Sequence, residues 1–351
     1  MKPSLSPALV VLGLFGASFP AAAAVGFTEI AVADPHGDRP LEVAVWYPAE
    51  AGPEPIQLGE NPAFFGVSVL PDAPVRPGAR DRPWPLAVLS HGYGGNWTNQ
   101  VWLADLLVER GFVVAAPNHP GTTTRDRDSS QAARLWARAT DISRTIDAVS
   151  TFDGFDGRVS DDRVAVIGHS LGGLTAMQVA GARFDVDRFE TDCVDRPELE
   201  ACDLFDAIGA GRLHADRAAL AESRHDDRVG AAAVLDIGMA RGLTPDSLAV
   251  VDVPVLVVSA AADTPAIPAE LESEYLTRHL RMGLYHRAEG AAHFSFRRRC
   301  KPGAIDMLEA EAPGDGVVCR DAPDADTDRA EIHRMVGGLL ADFLSDAPGL
   351  E

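Results

Sequence analysis

VAVIGHSLGGLTAM, residues 164–177, decides how this chain is read. Val164–Ile167 form an unbroken apolar run, the pattern of a strand buried on both faces. It stops at Gly168-His169-Ser170-Leu171-Gly172-Gly173, and a helix-forming stretch follows at once. A strand that ends in G-x-S-x-G and turns directly into a helix makes a sharp corner with the serine at its tip. Side chains at the flanking glycines would collide with neighbouring strand and helix. The corner aims the hydroxyl at the helix N-terminus, where the dipole and free N–H groups favour negative charge. Ser170 is therefore the candidate nucleophile.

An alcohol needs a general base, and the base needs an orienting carboxylate. On this kind of scaffold the chain order is Ser, then acid, then His. His293, in AEGAAHFSF, follows the last strand-like segment and is the candidate base, whereas His286 lies within that strand. Asp263, at the end of VPVLVVSAAAD, is the candidate acid, with Asp236, which ends the preceding strand, as its rival. A tetrahedral intermediate also needs two N–H donors. Leu171, next to the serine, offers one; Tyr93, in SHGYGG after an earlier strand, offers the other. This chemistry requires no cofactor and no metal, and the four cysteines show no zinc spacing.

Outward from this corner, short apolar strands alternate with helical patterns. WPLAVLSHG, FVVAAPNHP, DDRVAVIGHS, VGAAAVLDIG, VPVLVVSAAAD and GLYHRAEG read as six strands. Leu135, Ala139, Ile142, Ile146 and Val149 share one helical face, as do Ile332, Val336, Leu339 and Phe343. The segment 96–110 reads as a helix stopped by Gly111. The alternation predicts an α/β fold: a mostly parallel sheet with helices on both faces. VGFTEIAVAD and RPLEVAVWYP predict an antiparallel hairpin, residues 49–85 a long surface loop, and residues 182–229 a small, partly helical cap insertion.

Of 351 residues, 46% are hydrophobic and the net charge is −21, from 52 acidic and 31 basic side chains. Such a surface repels nucleic acid and anionic lipid, and the serine chemistry above makes a small-molecule ester the expected partner. The first residues, with Lys2, a short apolar run and Ala21–Ala24, read as a secretory signal cleaved near Ala23 or Ala24, with a mature domain over 25–351. No later segment could span a bilayer. The expected destination is the periplasm or the extracellular space. Export makes the cysteines disulfide candidates. Three connectivities exist, and the sequential one, Cys193 with Cys202 and Cys300 with Cys319, is preferred.

LSHGYGGNWTNQVWLADLLVERGFVVAAPNHPGT, VAVIGHSLGG, VSAAADTPAIPA and GAAHFSF together resemble the α/β-hydrolase superfamily. More narrowly they are similar to secreted bacterial platelet-activating-factor acetylhydrolase and dienelactone-hydrolase-like proteins. AADTPAIPA and AAHF also resemble polyester-cleaving cutinase-like enzymes. The last resemblance implies Asp263 as triad acid; the acetylhydrolase resemblance implies Asp236. Dienelactone hydrolases use cysteine where this chain has Ser170, which argues against dienelactone as substrate. The expected activity is carboxylic-ester hydrolysis through an acyl-enzyme on short-chain or lipid-derived esters. Acyl transfer and a non-catalytic binding role on the same scaffold are the alternatives. Trp46, Trp97, Trp102, Phe294 and Phe296 read as core rather than acyl pocket. Arg297, Arg298, Arg299 and Lys301 read as a solvated basic loop.

Overall fold

A computed structural model describes residues 24–34, 37–78, 82–323 and 327–350. Residues 1–23 of the expected secretory signal lie outside these residues. Ten strands form one sheet: β1 (Ala24–Val32), β2 (Leu41–Ala49), β3 (Ile56–Leu58), β4 (Val67–Pro71), β5 (Trp84–Ser90), β6 (Val113–Pro117), β7 (Val159–His169), β8 (Val229–Leu235), β9 (Val255–Ala260) and β10 (Gly283–Ala288). Their order is β10-β9-β8-β7-β5-β6-β2-β1-β4-β3. From β10 to β6 every neighbouring pair is parallel, and β2 joins β6 antiparallel.

The sequence explains this division. β5 to β9 are near-continuous apolar runs because helices cover both of their faces. β1 is buried at Val25–Phe27 and mixes exposed and buried positions beyond, as expected where part of an antiparallel hairpin reaches solvent. Residues 49–85 are not the simple loop expected: they carry β3 and β4, and β4 pairs with β1 through two residues. Strands this short, set among prolines and glycines, leave no measurable period in the sequence.

The helices are α1 (Val101–Glu109), α2 (Ser129–Ala132), α3 (Leu135–Ser150), α4 (Leu171–Val179), α5 (Val186–Asp195), α6 (Glu200–Ala207), α7 (His214–Ala221), α8 (Pro245–Ala249), α9 (Ser273–His279), α10 (Ala304–Glu311) and α11 (Arg329–Ser345). On one face of the sheet, Ile142 and Ile146 of α3 and Leu174 and Met177 of α4 pack over Val88 and Val166. On the other, Leu103 and Leu107 of α1 join Ile332, Val336 and Leu340 of α11 over Leu89 and Ile167. The expected face of α3 packs inward; on α11 Ile332 and Val336 do, but Leu340 and Leu344 complete the buried stripe, and Leu339 and Phe343 are only partly buried at its edge.

Between α4 and β8, in the region 182–229, stand α5, α6 and α7. A disulfide ties Cys193 of α5 to Cys202 of α6, and a second joins Cys300 to Cys319, the sequential pairing expected. No described helix is long and apolar enough to cross a membrane.

Candidate active site

The corner after β7 has the backbone that its sequence predicts. Ser170 sits at φ 56°, in the left-handed region that non-glycine residues rarely adopt. Two backbone bonds hold it there: its N–H donates to the Leu235 carbonyl and its own carbonyl accepts from the Gly173 N–H. Backbone contact explains the flanking glycines. A Cβ on Gly168 would lie 1.9 Å from the Gly172 carbonyl oxygen, and one on Gly172 2.0 Å from the Ser90 carbonyl oxygen. Strand, corner and helix thus pack closer than any side chain allows.

Ser170 Oγ lies 3.1 Å from Nε2 of His293, whose Nδ1 lies 2.7 Å from Asp236 Oδ2. The carboxylate can only accept, so Nδ1 carries the proton and Nε2 is left to accept the Ser170 O–H. The Asp236 Oδ1 accepts the Ala260 N–H at 2.8 Å, so both carboxylate oxygens are engaged. The side chains of His293 and Asp236 are 15% and 8% exposed, which shields the pair without closing it off. The His293 carbonyl accepts from Nε2 of His169, fixing the backbone of the loop that carries the imidazole. Burial holds the His169 pKa well below its usual value, so this ring is a neutral strut.

The expectation that Asp263 meets His293 is not met. Register explains why. Leu235 pairs with His169, so the residue after β8 comes level with the residue after β7. Asp236 therefore emerges beside Ser170, and its φ of 47° turns it toward the loop after β10. Asp263 stands three residues past β9, with β8 interposed between β9 and β7. It is exposed, and its Oδ1 accepts the Ala269 N–H at 2.8 Å, closing its own turn.

Of the expected oxyanion donors, Leu171 is the first residue of α4, whose N–H has no acceptor within its helix. Tyr93 follows Gly92, and a Cβ on Gly92 would lie 3.1 Å from Ser170 Cβ. The loop after β5 therefore abuts the corner. A narrow pocket, with about 40 Å³ of room for water-sized molecules, opens beside Ser170 and His293. Its walls are Leu171, Ala201 and Leu204 of α6, Met239, Ile267 and Glu272. Glu272, 2% exposed, accepts the N–H groups of Met239 and Ala240, and burial raises its pKa to about 8. Nothing in the sequence around Glu272 distinguishes it from a surface glutamate.

Trp46, Trp102 and Phe296 are core, as expected. The basic segment is not a free solvated loop. Arg298 stacks on Phe64 at 4.1 Å and donates to the Gly59 carbonyl, while Lys301 pairs with Glu60. Among the described residues no cluster of His, Cys, Asp and Glu could hold a metal ion.

A second Ser–His–Asp array lies beneath the first. Ser90 Oγ is 3.0 Å from His119 Nε2, and His119 Nδ1 is 2.9 Å from Asp141 Oδ2. Ser90, His119 and Asp141 are wholly buried. Sequence reasoning did not find this array. Its one legible signal was Arg138 and Asp141 interleaved with the apolar stripe of α3.

Comparison with a solved structure gives the architecture its name. A ferulic acid esterase from Streptomyces cinnamoneus superposes with a TM-score of 0.63 over 94% of this chain and 92% of its own, at 20% identity. The chain has an α/β-hydrolase fold. Residues 97–191 of this chain, which include the Ser170 corner, match the prolyl oligopeptidase family. Cutinase est2 of Thermobifida alba is 29% identical over 154 residues, 44% of this chain and 49% of that protein. Cutinase est1 of the same organism is 37% identical over 98 residues, 28% of this chain and 31% of its own. Cutinase 2 of Thermobifida cellulosilytica is 27% identical over 155 residues, 44% of this chain and 56% of its own. The chain spans about half the length of the curated relatives it matches or less.

Proposed function

We propose that this protein is an exported serine carboxylic-ester hydrolase that works through an acyl-enzyme. The observation that carries the proposal is the directed chain from Ser170 through His293 to Asp236 at a strained strand-to-helix corner. Ser170 attacks the ester carbonyl while His293 takes its proton, and the imidazolium then protonates the leaving alcohol. Asp236 holds the reactive tautomer and balances the charge that appears on the ring. The Leu171 and Tyr93 N–H groups receive the oxyanion, aided by the positive end of α4. Water, deprotonated by His293, releases the acid. No metal or cofactor takes part in these steps.

Relatives named as cutinases support ester hydrolysis, and so does the wholly ordinary chemistry of the array. An acid placed directly after the strand beside the nucleophile agrees with the resemblance to the acetylhydrolase group rather than to the cutinase-like motif AADTPAIPA. The narrow pocket favours a short acyl chain, with α5–α7 acting as a cap over it. Two disulfides agree with an oxidising destination.

The test is turnover of p-nitrophenyl esters from acetate to palmitate, alongside a matched p-nitroanilide. Ester hydrolysis with its maximum at short chains is the expected result. Hydrolysis of the anilide at a comparable kcat/KM would replace the ester reading with a peptidase one, and a maximum at palmitate would remove the short-chain assignment.

A further inference from the structure

The buried array under the corner has no route to substrate, yet it is held with more hydrogen bonds than the active array. Its centre is Arg138, on α3, only 1% exposed. One guanidinium grips three elements. It donates to the His91 carbonyl and to Ser90 Oγ at the end of β5, to Thr122 Oγ1 after β6, and through Nε to Thr175 Oγ1 of α4 at 3.0 Å.

These partners bracket the proposed oxyanion hole. The His91 carbonyl lies one peptide before the Tyr93 N–H. Thr175 lies one helical turn after Leu171, and its hydroxyl also contacts the Leu171 carbonyl at 3.2 Å. A planar fork that spans both sides fixes the separation of the two N–H donors. A lysine could reach one side but could not hold three elements in one plane.

The surrounding hydrogen bonds have one consistent direction. His119, neutral because burial and the nearby Arg138 hold its pKa well down, donates from Nδ1 to Asp141 and accepts the Ser90 hydroxyl at Nε2. Ser90 Oγ keeps its lone pairs for Arg138. Arg39 closes the far end with a forked contact to Asp141 at 2.7–3.1 Å. His91 accepts the His119 N–H at Nε2 and therefore donates from Nδ1 to the Gly92 carbonyl at 2.7 Å. That last bond sits on the peptide that carries the Tyr93 N–H.

We infer that Arg138, braced by Ser90, His119, Asp141 and Arg39, is a positioning residue that sets the distance between the Tyr93 and Leu171 oxyanion donors. The inference rests on the ester-hydrolase reading above. Its signature is selective. An oxyanion hole acts on the tetrahedral state, so loosening it lowers kcat and the affinity for a tetrahedral adduct while leaving ground-state binding in place.

The test compares Arg138→Lys with the wild-type protein and with Val149→Ala, a core truncation on the same helix. Readouts are kcat, KM and the inhibition constant of a phenylboronic acid, scaled to the folded fraction. Arg138→Lys is expected to lower kcat by about 10- to 100-fold, short of the full loss of one donor. Boronate affinity should fall in parallel, with KM little changed. Val149→Ala is expected to lower Tm alone. Should Arg138→Lys fail to fold, Thr175→Val, which releases only the α4 contact, is expected to lower kcat and boronate affinity together by about 3- to 10-fold. Unchanged kcat and boronate affinity in a folded Arg138→Lys, or in Thr175→Val, overturns the inference while leaving the ester-hydrolase reading intact. A wild-type protein inert towards every ester would remove that reading, and this inference with it.

Discussion

Two Ser–His–Asp arrays in one chain have nearly the same hydrogen-bond lengths, 3.1 and 2.7 Å in one, 3.0 and 2.9 Å in the other. Their surroundings differ in every respect that chemistry requires. Ser170 stands at a positive-φ corner, at the start of a helix, with a pocket beside it. Ser90 lies within a strand, wholly buried, its hydroxyl held between His119 and Arg138. A hydrogen-bonded chain of these three side chains is thus not a catalytic device by itself. Access, a candidate donor pair for an oxyanion and a positive helix end separate the proposed catalytic array from the buried one.

The comparison breaks first at the serines. Ser170→Ala is expected to lower ester turnover by about 10⁴-fold or more, whereas Ser90→Ala keeps the nucleophile and loses far less. Comparable losses in both variants would erase the distinction. Next come the carboxylates. Asp236→Asn should cost about 10⁴-fold in kcat through the wrong imidazole tautomer, while Asp263→Asn, confined to an exposed turn, leaves kcat unchanged. A crippled Asp263→Asn with an active Asp236→Asn would restore the acid that sequence reasoning preferred.

That preference shows where a sequence stops being readable. β5 to β10, the face of α3, the corner glycines and the cysteine pairs are local patterns, and the chain carries them openly. The choice between Asp236 and Asp263 depended on register. Both end an apolar strand, and only the pairing of Leu235 with His169 puts one of them level with Ser170. The buried array is harder still, because Arg39 meets Asp141 across 102 residues. Only the charges set into the stripe of α3 hinted at it.

Smaller effects concern stability. Removing either disulfide is expected to cost about 2–3 kcal/mol by the loop-entropy account, read from denaturant midpoints at constant slope, and to leave kcat of the folded protein in place. A drop in kcat without a change in midpoint would place the Cys193–Cys202 bond in the site rather than in its support.

The last contrast is one of protons. His91, His119, His169 and His333 all have pKa values lowered chiefly by burial, His333 to about 3. Below about pH 6.5 the unfolded chain binds protons that the folded one refuses, so stability is lost as pH falls from there toward 3. Glu272 works oppositely. With its pKa raised from 4.5 to about 8, the folded protein binds the extra proton, and its contribution is lost as pH rises through that window. The Tm of Glu272→Gln relative to wild type should therefore increase from pH 5 to pH 9, and a pH-independent difference would count against a buried, protonated Glu272.

The most direct measurement treats the intact protein with a fluorophosphonate and locates the adduct by peptide mass mapping. One adduct is expected, on Ser170, with Ser90 unmodified. An adduct on Ser90, or none on Ser170 in folded protein, would contradict it.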